Sequence, residues 1–280
     1  MVNSPNLDKL RIKIFADGAD LESIRRLARD PRTRGFTTNP TLMRAAGIKD
    51  YKAFAHEVLK IVTDRPVSFE VLADDFSLME RQAREIASWG PNVYVKVPVS
   101  NTKGKGAGRL ITTLSKSNIK LNVTAVMTLD QVASVRDALA PSVPAIVSVF
   151  AGRIADTGID PVPHMKQALQ LLAALPQVEL LWASPRELLN IFQADAIGCH
   201  IITATTDVLK KLSLVGKDLL QFSRETVEMF YRDAEAAAYE ILPVPQLVTS
   251  RQARLARPLG PAGTTGVLRA VTRPRDIVRP

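Results

Sequence analysis

The sequence predicts an α/β fold, a single (β/α)8 TIM barrel followed by a C-terminal helix and a basic tail. Short β-rich runs alternate with amphipathic helical stretches along about 210 residues, and there are eight such runs. Polar side chains also recur where successive runs end, which is the face on which such barrels place their chemistry. A doubly wound open sheet is the competing architecture, and the strand count favours the barrel.

The eight predicted strands are the β-rich segments of this pattern. They cover residues 11–16, 35–37, 67–71, 93–97, 119–123, 145–149, 178–182 and 198–202. Amphipathic stretches follow them and are predicted as helices. These cover residues 20–28, 51–62, 76–88, 106–115, 129–139, 163–175, 185–194 and 206–211.

Residues 218–240 are predicted to form a long terminal helix, because apolar residues recur there at helical spacing. They include Phe222, Val227, Phe230, Tyr231 and Ala234. We expect this helix to pack on the barrel or on a neighbouring subunit. Pro243 and Pro245 then break the pattern, so the structured region is predicted to cover residues 1–247 and the tail residues 248–280.

The tail carries most of the net charge of +9. Residues 251–280 contain seven arginines and one aspartate, so they supply +6 of it. Because this segment is rich in proline and has few large apolar groups, we expect it to be disordered. A role in binding RNA or another anionic surface is the alternative. Nucleic acid is not the expected partner, since the tail lacks the interleaved aromatic residues of a stacking platform.

Composition bounds the remaining function classes. The chain has 280 residues, of which 46% are hydrophobic, so it can bury a sizeable core. It has no apolar run long enough to span a bilayer and its first residues lack the apolar stretch of a secretory signal, so we expect a cytoplasmic protein. A lone Cys199 and three widely separated histidines predict neither a disulfide nor a metal site.

Lys96 interrupts an otherwise apolar strand over residues 92–99. If Val93, Val95 and Val97 face one side, Lys96 faces the other with Tyr94, which is the interior of a closed barrel. Desolvation and nearby cations lower the pKa of a lysine and make its neutral amine available to attack a ketone. The alternative for this residue alone is a strand-end lysine whose head reaches solvent.

Six ordered motifs resemble the transaldolase family, especially its shorter members related to fructose-6-phosphate aldolase, which are Schiff-base (class I) enzymes. The resemblance covers approximately residues 12–241. The motifs are Phe15-Ala16-Asp17, Thr37-Thr38-Asn39-Pro40-Thr41-Leu42, Val95-Lys96-Val97-Pro98, Asn122-Val123-Thr124, Phe150-Ala151-Gly152-Arg153 and Ala183-Ser184-Pro185-Arg186. The resemblance implies a (β/α)8 barrel that transfers a dihydroxyacetone unit between sugar phosphates without a metal or organic cofactor. It also implies a homo-oligomer and a place in the pentose phosphate pathway.

The resemblance assigns the catalytic residues one by one. Lys96 matches the Schiff-base lysine, and Asp17 matches the carboxylate that moves the substrate hydroxyl proton. Glu70 and Thr124 match the pair that positions a water during carbinolamine dehydration. Substrate-binding residues are assigned in the same way. Asn39 and Ser148 match positions that contact the dihydroxyacetone unit, and Arg153, Ser184 and Arg186 resemble a phosphate pocket. Thr38, Asn122 and Phe150 are the other substrate-binding residues.

Each of these residues alone also has a structural explanation. Asp17 could cap the helix beginning near Asp20, Asn39 could stabilise a turn before Pro40, and either arginine could pair with a surface acid. Their common position at successive strand ends favours a functional site. Among functions, Glu70 and Phe150 favour a transferase, since aldolases of this family typically carry Gln and Tyr there. The alternatives are an aldolase that releases dihydroxyacetone and a non-catalytic sugar-phosphate-binding barrel.

Overall fold

A computed structural model describes residues 6–242 of the chain. Its eight parallel strands close into a barrel in sequence order, and β8 pairs with β1. The strands are β1 (Lys13–Asp17), β2 (Thr33–Thr37), β3 (Val67–Glu70), β4 (Val93–Pro98), β5 (Leu121–Val126), β6 (Ala145–Val149), β7 (Val178–Trp182) and β8 (Ile201–Thr205). The predicted barrel is confirmed, and the open sheet is wrong.

Helices cover the outside of the barrel and separate its strands. They are α1 (Leu21–Ala28), α2 (Pro40–Ala45), α3 (Tyr51–Ile61), α4 (Phe76–Ala87), α5 (Gly108–Lys116), α6 (Leu129–Ala138), α7 (Ala151–Asp156), α8 (Pro161–Leu172), α9 (Leu189–Ala196) and α10 (Thr206–Lys210). Two short 3-10 helices, Leu7–Lys9 and Lys211–Leu214, complete this region. Asp20, Asp50 and Asp75 cap α1, α3 and α4 through their side chains, which fixes where these helices begin.

Two short helices near the strand ends were not predicted. Asn39 caps α2 and Pro40 is its first residue, so the signals of a helix start were present in the sequence. The other, α7, has no side-chain cap and no such signal. The N-cap of α2, Asn39, and Arg153 of α7 both belong to the proposed site at the carboxyl ends of the strands.

Strands β5 and β8 lie further along the chain than predicted. The strand predicted over residues 119–123 begins two residues before β5, which starts at Leu121 and continues through the buried polar residue Thr124. In β8, the shift arises because Gly198 adopts a left-handed conformation at φ 78° and ends α9. The strand therefore begins only at Ile201.

A small apolar cluster fills the barrel interior. It consists of Phe15, Ile146, Leu181, Ala183 and Ile201, with Tyr94 and Phe150 beside them. Phe15 lies on the same face of β1 as Asp17, one layer nearer the amino ends of the strands. Its ring fits because residue 35 is glycine: a Cβ there would lie 2.5 Å from the ring. The larger core packs between strands and helices.

The predicted terminal helix is confirmed as α11 (Leu219–Ala236), which belongs to a separate compact unit beginning at Leu219. Its packing on the barrel or on another subunit stays a prediction. The tail and the predicted boundary near Leu247 lie outside the described residues. Across residues 6–242, no helix combines the length and apolar character needed to cross a membrane.

Candidate active site

A cavity of about 430 Å³ lies at the carboxyl ends of the strands. Ten of the twelve predicted site residues line it, namely Asp17, Asn39, Glu70, Lys96, Asn122, Thr124, Ser148, Phe150, Arg153 and Ser184. They come from separate strands and from the segments that follow them, so only the closed barrel brings them together.

Lys96 lies inside the barrel and is 6% exposed. Its Nζ donates a hydrogen bond to the carbonyl oxygen of Thr38 at 2.9 Å and lies 3.0 Å from Oε2 of Glu70. The two side chains meet because Glu70 on β3 is the register partner of Lys96 on β4. A solvent-exposed head is therefore wrong for this lysine. The charged group in contact with this lysine is the Glu70 carboxylate, and not one of the nearby cations expected from the sequence.

Asp17 ends β1 and points to the same cavity. Thr37 donates a hydrogen bond from its hydroxyl to Oδ1 of Asp17 at 2.7 Å, and the hydroxyls of Thr37 and Thr203 lie 2.5 Å apart. Burial raises the pKa of the Asp17 carboxyl, and repulsion from Glu70 adds to this, while Lys96 and Thr37 oppose it. Capping of α1 is not its role, because Asp20 accepts the bond from the Ser23 backbone.

A buried chain of side-chain hydrogen bonds orients Asn122. Ser148 donates from its hydroxyl to Oδ1 of Asn122 at 2.6 Å, and Nδ2 of Asn122 donates to the hydroxyl of Ser68 at 3.0 Å. One N–H of the Asn122 amide is left for a further acceptor. Ser68 is fully buried. It shares a strand face with Glu70, so alternation along β3 was the signal that could have identified it.

Arg153 enters the cavity from α7, with its guanidinium carbon 5.5 Å from the centre of the Phe150 ring. This helix packs directly on the segment that follows β7. A Cβ on Gly152 would lie 1.5 Å from the carbonyl oxygen of Ser184, so only glycine fits there. Ser184 itself has φ 57°, in the left-handed region, and lines the cavity.

Two predicted site residues do not line the cavity. The Thr38 side chain is buried, and its contact with the site is the backbone carbonyl that accepts from Lys96. Arg186 lies in the loop after β7, where its guanidinium pairs with Asp156. Four residues without a predicted role also support the site. Thr37, Ser68 and Tyr51 each bond to a predicted site residue, and Thr203 bonds to Thr37.

Comparison with known proteins gives one family and a set of relatives. The family model described as transaldolase/fructose-6-phosphate aldolase matches residues 14–241. A protein of Dehalococcoides mccartyi named "Probable transaldolase" is 34% identical over 202 residues, which is 72% of this chain and 90% of that protein. A Streptococcus agalactiae protein of the same name is 38% identical over 193 residues, covering 69% of this chain and 85% of its own.

Two solved structures of low sequence identity show a similar fold. The structure of KGPDC from Streptococcus mutans aligns with a TM-score of 0.50 at 10% identity, covering 72% of this chain and 91% of that one. That of 2,3-dimethylmalate lyase, described as a member of the PEP mutase/isocitrate lyase superfamily, aligns with a TM-score of 0.50 at 14% identity, covering 86% and 89%.

Proposed function

The chain belongs to the transaldolase/fructose-6-phosphate aldolase family, and from this premise we propose that it transfers a dihydroxyacetone unit from a ketose phosphate to an aldose phosphate. One observation carries the proposal. The buried amine of Lys96 shares a cavity with two carboxylates, Asp17 and Glu70, and the Glu70 carboxylate lies 3.0 Å from it.

Lys96 is proposed to form the Schiff base with the ketone of the donor. The attacking amine must be neutral, and Glu70 is within hydrogen-bond distance to accept its proton. Addition to the ketone gives a carbinolamine, whose hydroxyl must leave as water. Glu70 and Thr124 line the same cavity, where they would hold the water that passes the proton to this hydroxyl.

Asp17 is proposed to move the proton of the substrate hydroxyl during carbon–carbon cleavage. The iminium on Lys96 accepts the electron pair of the breaking bond and becomes an enamine, while Asp17 takes the hydroxyl proton and the aldehyde leaves. Addition of a second aldehyde reverses these steps. The raised pKa of Asp17 suits this exchange, because a carboxyl nearer the working pH both accepts and returns a proton more readily.

The substrates are proposed to be sugar phosphates. Asn39, Asn122 and Ser148 line the cavity and would contact the dihydroxyacetone unit. Arg153 and Ser184 line it as well and would bind the phosphate, with Arg186 close by in the β7–α9 loop. No metal or organic cofactor enters these steps. We also propose a homo-oligomer that acts in the cytoplasm within the pentose phosphate pathway.

Transfer is preferred to release because Phe150 lines the cavity where relatives that release dihydroxyacetone carry Tyr. A phenyl ring supplies no proton to the enamine, which then persists until an aldehyde acceptor arrives. An aldolase is the second candidate, since water can supply that proton. A non-catalytic barrel is disfavoured because Lys96, Asp17, Glu70 and Thr124 share the cavity.

A coupled assay with fructose 6-phosphate, run with and without erythrose 4-phosphate, tests the proposal. A transferase should form glyceraldehyde 3-phosphate at a substantial steady rate only when the acceptor is present. Comparable steady rates in both arms, with free dihydroxyacetone as a product, would favour the aldolase. If neither reaction occurs and a ketose cannot be trapped on the protein with borohydride, the proposal that the protein is a Schiff-base enzyme is wrong.

A further inference from the structure

Asp156 and Arg186 form a bidentate ion pair close to the proposed phosphate pocket. Nε of Arg186 donates to Oδ1 of Asp156 at 2.9 Å, and its Nη2 donates to Oδ2. Asp156 is the last residue of α7, and Arg186 lies in the loop between β7 and α9. The carboxylate thus occupies an edge of the guanidinium that could otherwise bind a phosphate with two parallel hydrogen bonds.

The two arginines of the proposed pocket are placed differently. Arg153, one helical turn before Asp156 on α7, lines the cavity together with Ser184. Arg186 does not line it, although it lies only two residues beyond Ser184. The ion pair with Asp156 accounts for this difference, because it holds the guanidinium of Arg186 by two of its five N–H donors.

The backbone of Arg186 is fixed without Asp156. Its N–H donates to Oδ1 of Asn190 at 2.8 Å, and the N–H of Glu187 donates to the same oxygen at 3.1 Å. Nδ2 of Asn190 donates in turn to Gln193 at 2.9 Å. Asp156 therefore controls where the Arg186 side chain lies, and the loop itself is held by Asn190.

The pair is weak enough to exchange. The side chains of Arg186 and Asp156 are 50% and 51% exposed, and ion pairs at this exposure contribute little because water competes for both charges. A phosphate dianion already bound by Arg153 carries more charge than one carboxylate and offers more acceptor oxygens. Such an anion should therefore displace the Asp156 carboxylate from the Arg186 guanidinium.

We propose that Asp156 is a specificity-determining residue: its carboxylate binds Arg186 and is displaced from it by the phosphate of the substrate. Phosphate binding then includes the cost of breaking the pair, so Asp156 lowers the affinity of the pocket for anions. The inference rests on the proposed function, because it concerns the pocket for the substrate phosphate.

The test compares Asp156→Asn with Glu187→Gln. Both changes remove one negative charge near Arg186, but within residues 6–242 it is Asp156, and not the Glu187 side chain, that bonds to the guanidinium. Asp156→Asn should lower the KM for fructose 6-phosphate and the Kd for inorganic phosphate by about two- to five-fold. KM for unphosphorylated fructose should not change. Glu187→Gln should reproduce none of these shifts.

A double-mutant cycle shows whether Asp156 acts through Arg186. In an Arg186→Ala background, Asp156→Asn should no longer alter phosphate affinity. If Asp156→Asn still raised phosphate affinity in that background, the carboxylate would act by direct electrostatic repulsion of the anion and not through Arg186. Unfolding is not expected from the substitution itself, since a carboxylate at the end of a helix is not favoured by the helix dipole.

The direction of the change decides the outcome. If Asp156→Asn weakens phosphate binding, Asp156 positions Arg186 for the anion and the inference is wrong. Unchanged affinity would also overturn it. Calorimetric titration with inorganic phosphate needs no turnover, so it tests the inference even if the transferase assay fails. An inactive wild type would instead count against the proposed function alone.

Discussion

The hydroxyl of Tyr51 forms two hydrogen bonds with the backbone of one residue, Glu70. It accepts from the Glu70 N–H at 2.7 Å and donates to the Glu70 carbonyl oxygen at 2.9 Å. Pairing between β2 and β3 ends before this point, where the Thr38 N–H donates to the Ser68 carbonyl. The Tyr51 hydroxyl, from α3, thus provides the hydrogen-bond partner for the Glu70 N–H and carbonyl at a point where β2 no longer pairs with β3. It fixes the residue whose carboxylate contacts Lys96.

Tyr51→Phe should slow imine formation by up to about 100-fold, because a small displacement of a reacting group is enough to cost that much. Leaving two backbone groups of Glu70 without their partner should also cost about 1–3 kcal/mol of folding free energy. The measurement is the rate of borohydride trapping with saturating donor. Tyr239→Phe, at a residue 79% exposed, is the control and should leave that rate unchanged. A purely structural role would lower the melting temperature without slowing trapping.

Borohydride with a ketose donor should leave a stable adduct on Lys96, because its buried amine is the proposed Schiff-base nucleophile. Lys96→Ala should abolish the adduct, and Lys103→Ala, a change at an exposed residue, should not. Peptide mass mapping locates the modified residue. Finding the adduct on Lys103 or Lys105 in the wild type would overturn the assignment.

Asp17→Asn should raise the melting temperature at pH 7 while abolishing carbon–carbon cleavage. Burial raises the pKa of this carboxyl in the folded state, so the folded protein loses stability as pH rises from the unfolded value of 3.8 through the raised value. Asparagine carries no charge and can still accept the hydrogen bond from Thr37. Melting curves across this window provide the measurement. The gain should disappear below pH 3.8, and a gain that persisted there would have another cause.

Phe150→Tyr should shift the products from transfer toward free dihydroxyacetone, since a phenol could protonate the enamine. A well-placed general acid is worth about 10²- to 10⁴-fold, and an unoptimised one should give less. Both products are measured from fructose 6-phosphate with erythrose 4-phosphate present. Unchanged partitioning would mean that water already supplies this proton.

Gly152→Ala should destabilise the fold by about 1–3 kcal/mol or more, since overpacking usually costs that much. Its Cβ would lie 1.5 Å from the Ser184 carbonyl oxygen, and a backbone atom has little freedom to move. Gly18→Ala is the matched control, because nothing lies within 4 Å of a Cβ there. Urea unfolding of both variants measures the difference. Equal stability would show that α7 can shift away from Ser184 at little cost.

The sequence by itself determined the eight-strand barrel and most of the cavity lining. Alternation of apolar strands and amphipathic helices is a local pattern, so it can be recognised without knowledge of the tertiary structure. Because parallel strands in a barrel end on one face, the polar residues that follow them could be assigned to a common site. The orientation of Lys96 toward the barrel interior followed from strand alternation alone.

Only the tertiary structure decided which partners these residues have. Thr37 bonds to Thr203 across 166 positions, and Asn122 to Ser68 across 54, because barrel closure and strand register bring them together. Neither contact leaves a local signal, since threonine and serine in a strand also occur for other reasons. Likewise, the guanidinium of Arg186 pairs with Asp156, 30 positions away, and no local pattern indicates this partner. An ion pair depends on where two side chains end in space, and sequence spacing does not fix that.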